Sequence, residues 1–375
     1  MPPYLLTPGP LITATETRAA MLRDWGSRDG DFIALTRRVR ERLVHLAGAD
    51  ASHTCVLLQG SGTYAVEAAL QSLVPRDGKL LVLVNGAYGR RMVEIARRLG
   101  RAVAVHETAE DRPVTASAAA ACLDADPAIT DVALVHCETT SGLLNPLKSI
   151  AGIVAARRRR LLIDAMSSFG ALPLDARRMR FAALVASSNK CLEGAPGIAF
   201  VIAEKARLAA ARGNATSLSL DLHDQWQGFE RDGQWRFTPP THVLAALDAA
   251  LDRHAAEGGV AARGARYARN CHTLVAGMRR LGFRPLLPDE FQAPIIVAFR
   301  MPCNPRFDFA RFYDRLRARG FVIYPGKLTH VDSFRIGCIG AIDEAVMKAA
   351  VSAVAAVLAE MSLAGAHLYE PASAV

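Results

Sequence analysis

The sequence predicts an α/β fold, a mostly parallel sheet followed by a smaller α+β unit. Three observations carry this expectation. Between about residues 55 and 205, short, continuously apolar runs alternate with amphipathic helical patterns. That alternation marks strands buried on both faces and joined by helices. Beyond about residue 262 the pattern changes to long helices with short strands. Finally, 375 residues with 51% hydrophobic and 22% charged side chains suffice for two cores and are too apolar for disorder.

In chain order, the strand candidates of the first part are residues 54–58, 80–84, 132–136, 160–164, 183–186 and 198–202. Helical spacing covers 64–73, 91–99 and 116–123, between the strands. A further helical stretch, 240–254, with Ala-Ala-Leu repeats, begins a bridge to the second unit. That unit contains strand candidates 295–299, 321–324 and 333–336. The expected division is a large part over 15–255 and a small one over 256–366, with 1–14 packed near the site. Residues 367–375 have no pattern and are expected to fray.

Composition excludes several classes. No apolar run approaches the roughly eighteen residues of a membrane span, and the first ten residues lack a signal-peptide pattern. Seven scattered cysteines without a Cys-x-x-Cys pair indicate free thiols in a reducing compartment, with the cytoplasm as the default, and neither a metal centre nor a disulfide framework. The net charge of +9 comes from arginines spread through helical segments; the one cluster, Arg157-Arg-Arg-Arg160, reads as a solvated turn. Nucleic-acid binding is not expected without an aromatic-interleaved basic segment, although a positive field favours small anions.

Chemistry gathers at the strand ends. The apolar run Leu161-Leu-Ile ends in Asp164, and Ala182-Ala-Leu-Val-Ala186 leads through Ser-Ser-Asn to Lys190. In an α/β sheet both groups emerge at the carboxyl edge, where ligands bind. A carboxylate that keeps a pyridine nitrogen protonated and a lysine that forms a Schiff base suit pyridoxal phosphate. Gln59-Gly-Ser61-Gly62-Thr63 follows a strand and opens a helix, an arrangement that can receive a phosphate but is neither a Walker loop nor G-x-G-x-x-G. Asn85-Gly-Ala-Tyr88-Gly places an aromatic face at the sheet mouth, to stack on a ring. In His136-Cys-Glu138-Thr139-Thr140, Thr139 could donate to the cofactor's phenolic oxygen and Glu138 could belong to a buried network. Thr241 could cap its helix or reach a phosphate. Arg335, in the short apolar strand Phe334-Arg-Ile, needs an anion: a substrate carboxylate or phosphonate, or an internal partner. Each group alone also has a plainer structural reading, as a cap, a turn residue or an ion pair.

Taken in order, Thr7-Pro-Gly-Pro10, the 59–67 segment, Val84-Asn-Gly-Ala-Tyr-Gly89, His136-Cys-Glu-Thr-Thr-Ser-Gly142, Ile163-Asp-Ala-Met-Ser-Ser-Phe-Gly170, Ser187-Ser-Asn-Lys190 and Phe334-Arg-Ile-Gly337 resemble the class V aminotransferases of fold type I. Within that class the resemblance is greatest to the transaminases of 2-aminoethylphosphonate and pyruvate. It rests on residues 57–67, Ser217-Leu-Ser-Leu-Asp-Leu222, Gly233-Gln-Trp-Arg-Phe-Thr238 and Gly320-Phe-Val-Ile-Tyr-Pro-Gly-Lys327, and spans residues 5–356. The resemblance implies a homodimer with active sites at the subunit interface. It assigns Lys190 to the Schiff base, Asp164 to the pyridinium, Tyr88 to ring stacking, and Ser61, Gly62 and Thr63 to the phosphate. Thr139 would serve the phenolic oxygen, Thr241 the phosphate in the neighbouring subunit, and Arg335 the substrate anion. One departure is Ser27-Arg28-Asp29, where the family pattern has an aromatic between serine and aspartate. The rival readings are an alanine–glyoxylate or serine–pyruvate type transaminase, a cysteine desulfurase, a phosphonate lyase on the same scaffold, or a non-enzymatic aminotransferase-like binding protein.

Overall fold

In the computed structural model, which describes residues 2–369, seven strands form the main sheet. They are β1 (His53–Gln59), β2 (Lys79–Val84), β3 (Ala102–Glu107), β4 (Ile129–Val135), β5 (Arg160–Asp164), β6 (Ala183–Ser187) and β7 (Ile198–Glu204). Their order is β1-β7-β6-β5-β4-β2-β3. Six run the same way; β7 is antiparallel to both of its neighbours. All of these strands except β3 are buried almost throughout because apolar residues occupy both faces, and the core continues into helices Gly62–Leu73, Ala87–Arg98 and Gly30–Leu46. Helices on both faces leave only the sheet's ends and edges near solvent.

β3 is absent from the sequence expectation, for a physical reason. It is the edge strand, pairing only with β2, and its exposure alternates, with Val105 41% exposed. A search for continuous apolar runs finds central strands and passes over edges. The parallel topology brings the ends of β1, β2, β4, β5 and β6 to one side. In register, Asp164 stands between Val135 of β4 and Val185 of β6.

A second, antiparallel sheet joins β8 (Ile296–Arg300), β9 (Tyr324–Pro325) and β10 (Ser333–Gly337) in the order β8-β10-β9. Its core is a cluster of Phe283, Phe299, Phe312 and Phe334. The single strand expected at 321–324 is divided. Phe321–Val322 pairs in parallel with Tyr4–Leu5, whereas Tyr324–Pro325 pairs with β10. Two different partners thus share a segment that reads as one run.

Two further expectations are corrected. Residues 367–369 do not fray: Leu368 is buried, its carbonyl accepts from the Cys303 N–H at 3.0 Å, and the Tyr369 hydroxyl donates to the Arg300 carbonyl at 2.7 Å. The rest of that segment, 370–375, lies outside the described residues. The arginine cluster is not simply solvated either. Arg157 forks onto Asp124 and Arg160 onto Asp131, so the run fastens the turn before β5. Among the described residues all seven cysteines are free, and no helix is long and apolar enough to cross a membrane.

Candidate active site

The site begins where β1 ends. Gly60 takes φ +122°, Ser61 is extended, and the helix Gly62–Leu73 starts without any side chain capping its amino terminus. Its first N–H groups are therefore available to an anion, aided by the helix dipole. A side chain at Gly62 would meet the Met166 thioether, the flexible end of a side chain that would have to swing aside. Arg91 donates from Nη1 to the Thr63 hydroxyl at 3.1 Å. Ser61, Gly62, Thr63 and Arg91 thus assemble N–H groups, hydroxyls and one cation at one end of a cavity of about 740 Å³.

Asp164 and Lys190 line the same cavity. The Asp164 carboxyl is buried and accepts from the Met166 N–H at 2.9 Å. Burial pushes its pKa up to about 6, against the weaker pull of that hydrogen bond and of Arg91 and Lys190. A carboxylate raised in this way favours a cationic partner. Lys190 leaves β6 in a tight loop: Ser188 N–H donates to Ile198 at 3.0 Å, Gly194 N–H to Ser188 at 2.8 Å, and Glu193 N–H to the Lys190 carbonyl at 2.8 Å. The Lys190 ammonium donates to the Pro8 carbonyl at 2.7 Å, so the amino-terminal segment crosses directly over it. Burial lowers the lysine's pKa to about 8, and nearby Arg335 pushes the same way.

The loop is braced from behind. Glu193 accepts from the Tyr267 hydroxyl at 2.5 Å and from Arg266 at 2.7 Å, while Arg263 donates to the Cys191 carbonyl at 2.6 Å. All three donors lie on the helix Gly259–Arg280, far away in sequence, and nothing local announces the bracing.

Tyr88 also lines the cavity. Its N–H donates at 3.1 Å to Glu138, which is fully buried and also accepts from the Thr140 hydroxyl at 2.8 Å. Glu138 is thus the buried network residue expected, and burial raises its pKa. The Arg91 guanidinium stands 5.0 Å and the Lys327 ammonium 5.3 Å from the Tyr88 ring centre. Arg335, buried in β10, donates to the Thr139 carbonyl at 3.0 Å and the Pro325 carbonyl at 3.1 Å. Among the described residues no carboxylate hydrogen-bonds it; the acidic groups nearby act only through space. Among the described residues Arg335 therefore has no internal ion pair.

Not every expected residue meets the cavity: Arg335 is outside its wall. Thr139 is buried and contributes its carbonyl to Arg335, but it is not in the cavity wall. Thr241 opens the helix Thr241–Glu257 half-buried, its hydroxyl 3.4 Å from the His242 ring, and is also outside this chain's wall. Arg28 is exposed beside Asp29, which caps the helix Gly30–Leu46. Sequence reasoning missed Arg91. Its one available signal was its position one helical turn after Tyr88, on the same face of Ala87–Arg98.

Residues 13–316 match the model of the family described as Aminotransferase class-V. The chain belongs to the class V aminotransferase family. It is 59% identical over 361 residues to a curated 2-aminoethylphosphonate–pyruvate transaminase of Pseudomonas entomophila (strain L48), covering 96% of this chain and 98% of that one. It is 56% identical to the protein of the same name from Pseudomonas aeruginosa (strain UCBPP-PA14), covering 96% and 97%. Among solved structures, pyridoxamine–pyruvate aminotransferase from Mesorhizobium loti superposes with a TM-score of 0.88 at 26% identity, covering 96% of this chain and 93% of that one. An alanine–glyoxylate aminotransferase from Nostoc sp. has the same TM-score at 23% identity, covering 96% of both chains, and attests the fold. As a class V aminotransferase, the chain is a pyridoxal-phosphate-dependent transaminase. The donor set fits that cofactor: an uncapped helix terminus for a phosphate, a buried carboxylate biased toward a cation, and a lysine of lowered pKa share one cavity.

Proposed function

We propose that the chain moves the amino group of 2-aminoethylphosphonate to pyruvate, yielding phosphonoacetaldehyde and L-alanine. The carrying observation is that Lys190, Asp164 and the Ser61–Thr63 cradle face one cavity; the names of relatives at 56–59% identity support the donor and acceptor. Bound pyridoxal phosphate supplies an electron sink for negative charge developing at the substrate's amino-bearing carbon. The Asp164 carboxylate would hold the ring nitrogen protonated, and the Lys190 amine would attach the cofactor covalently. The free Lys190 amine would move a proton at the substrate carbon, as its lowered pKa favours. Ser61, Gly62, Thr63 and Arg91 would take the phosphate, and Tyr88 would cover the ring. Thr139 remains a proposed donor to the phenolic oxygen. Arg335 would present its fork to the acid group of donor or pyruvate.

The homodimer belongs to the same reading. Tyr64, Leu218 and Phe237 are 54%, 73% and 45% exposed and line one apolar groove, a surface that suits burial against a second copy. Thr241 would then serve the partner's phosphate. The two largest cores, one within residues 32–251 and one chiefly within 271–368, support a division near residue 255, and the free thiols support a cytoplasmic location. The test is an absorbance scan of the purified holoenzyme titrated with 2-aminoethylphosphonate. Loss of the covalently bound cofactor's band, restored by pyruvate with formation of alanine, is expected. Response to alanine or serine but none to 2-aminoethylphosphonate would overturn the donor assignment.

A further inference from the structure

Lys327, in the Pro325-Gly326-Lys327 turn, has so far been given no chemical role. The turn's geometry is tightly set. In register, Tyr324 faces Arg335 and Pro325 faces Phe334, and Arg335 Nε donates to the Pro325 carbonyl. Gly326 N–H donates to the Ser333 carbonyl at 2.8 Å, and a side chain at Gly326 would overlap Ser333. On the far side, Thr329 N–H donates at 2.9 Å to Glu110, itself held by Arg90 at 2.7 Å. The backbone on both sides of Lys327 is therefore held, and its ammonium stands 5.3 Å from the Tyr88 ring.

The charges there do not balance. Arg91 and Lys327 stand over the Tyr88 ring, Arg335 acts on Lys327 through space, and among the described residues the carboxylate acting on Lys327 is Glu138, already bound to the Tyr88 N–H and the Thr140 hydroxyl. The lysine ion pairs among the described residues are those of Lys79 and Lys348. Although Lys327 is exposed as a residue, desolvation at its ammonium, then Arg91 and Arg335, lower its pKa. An anion of more than one charge would relieve that repulsion.

We propose that Lys327 is a specificity-determining residue that, together with Arg335, supplies two cations to the donor's acid group and so favours a doubly charged phosphonate over a singly charged carboxylate. This rests on the donor assignment above. A tetrahedral phosphonate has three oxygens and can accept from a guanidinium fork and an ammonium together. A planar carboxylate gripped by the fork has no third oxygen and no second charge for the ammonium to meet.

The test compares wild-type holoenzyme with K327M and K327R. In K327M, kcat/KM for 2-aminoethylphosphonate relative to L-alanine is expected to fall about 10-fold or more, mainly through KM, the scale of one hydrogen bond to a charged group. K327R should recover part of the loss. Inhibition by ethylphosphonate, matched against propanoate, reads the same site without turnover: the wild type should prefer ethylphosphonate, and K327M should lose that preference. An unchanged donor ratio together with a retained ethylphosphonate preference overturns the proposal. A wild type that ignores 2-aminoethylphosphonate yet shows a Lys327-dependent preference for ethylphosphonate would sink the donor assignment alone.

Discussion

Replacing Asp164 by asparagine should stabilise the cofactor-free protein while disabling the enzyme. Burial raises the Asp164 pKa from 3.8 to about 6. Two units correspond to about 3 kcal/mol between the charged and neutral forms. The sign follows from linkage: the folded chain holds this proton more tightly than the unfolded chain, so no penalty exists below about pH 4. It grows as pH rises from 4 to 6 and is complete above 6. Asparagine keeps an oxygen for the Met166 N–H and carries no charge. Urea unfolding of the cofactor-free D164N variant should therefore show a gain of about 2–3 kcal/mol at pH 7.5 that fades toward pH 4. With pyridoxal phosphate bound the order should reverse, because the charge that was costly then faces a cationic ring. Amino transfer should fall by about 10²-fold or more, the scale of losing one preorganised electrostatic contact. A D164N protein no more stable than wild type at pH 7.5, with no pH dependence in the difference, would refute the argument.

Two other predictions test the remaining groups. Because burial lowers the Lys190 pKa from 10.5 to about 8 and only the neutral amine attacks a carbonyl, the rate of covalent attachment to added pyridoxal phosphate should rise up to about pH 8 and then level off. A stopped-flow pH series checks this, and a rise continuing to pH 10 would contradict it. Arg335→Gln should raise KM for the amino donor by about 10–100-fold, and Arg335→Lys should restore little because the fork is lost. Steady-state kinetics with both variants decide it, and a KM unchanged in R335Q would remove Arg335 from the substrate's acid group.

Much of the fold was legible because central strands of a parallel sheet are apolar on both faces, so β1, β2, β4, β5, β6 and β7 stand out as runs. The edge strand β3 does not, since one partner and a half-exposed face leave no such run. The same logic governs the site. Asp164, Lys190, Tyr88 and Ser61–Thr63 follow strand ends directly, and parallel topology alone sends strand ends to one side. Period and turn chemistry therefore determined which residues would meet. Whatever depends on approach between distant segments was decided by the tertiary structure. The Pro8 carbonyl on Lys190 spans 182 positions and the Arg335–Thr139 contact 196. Arg91 joins the cavity wall through the way one helix is turned, and Thr139, whose carbonyl accepts from Arg335, stays outside it. A local pattern encodes a strand and the residue at its end; which charges face one another across a cavity depends on the packing of elements whose neighbours no local pattern specifies.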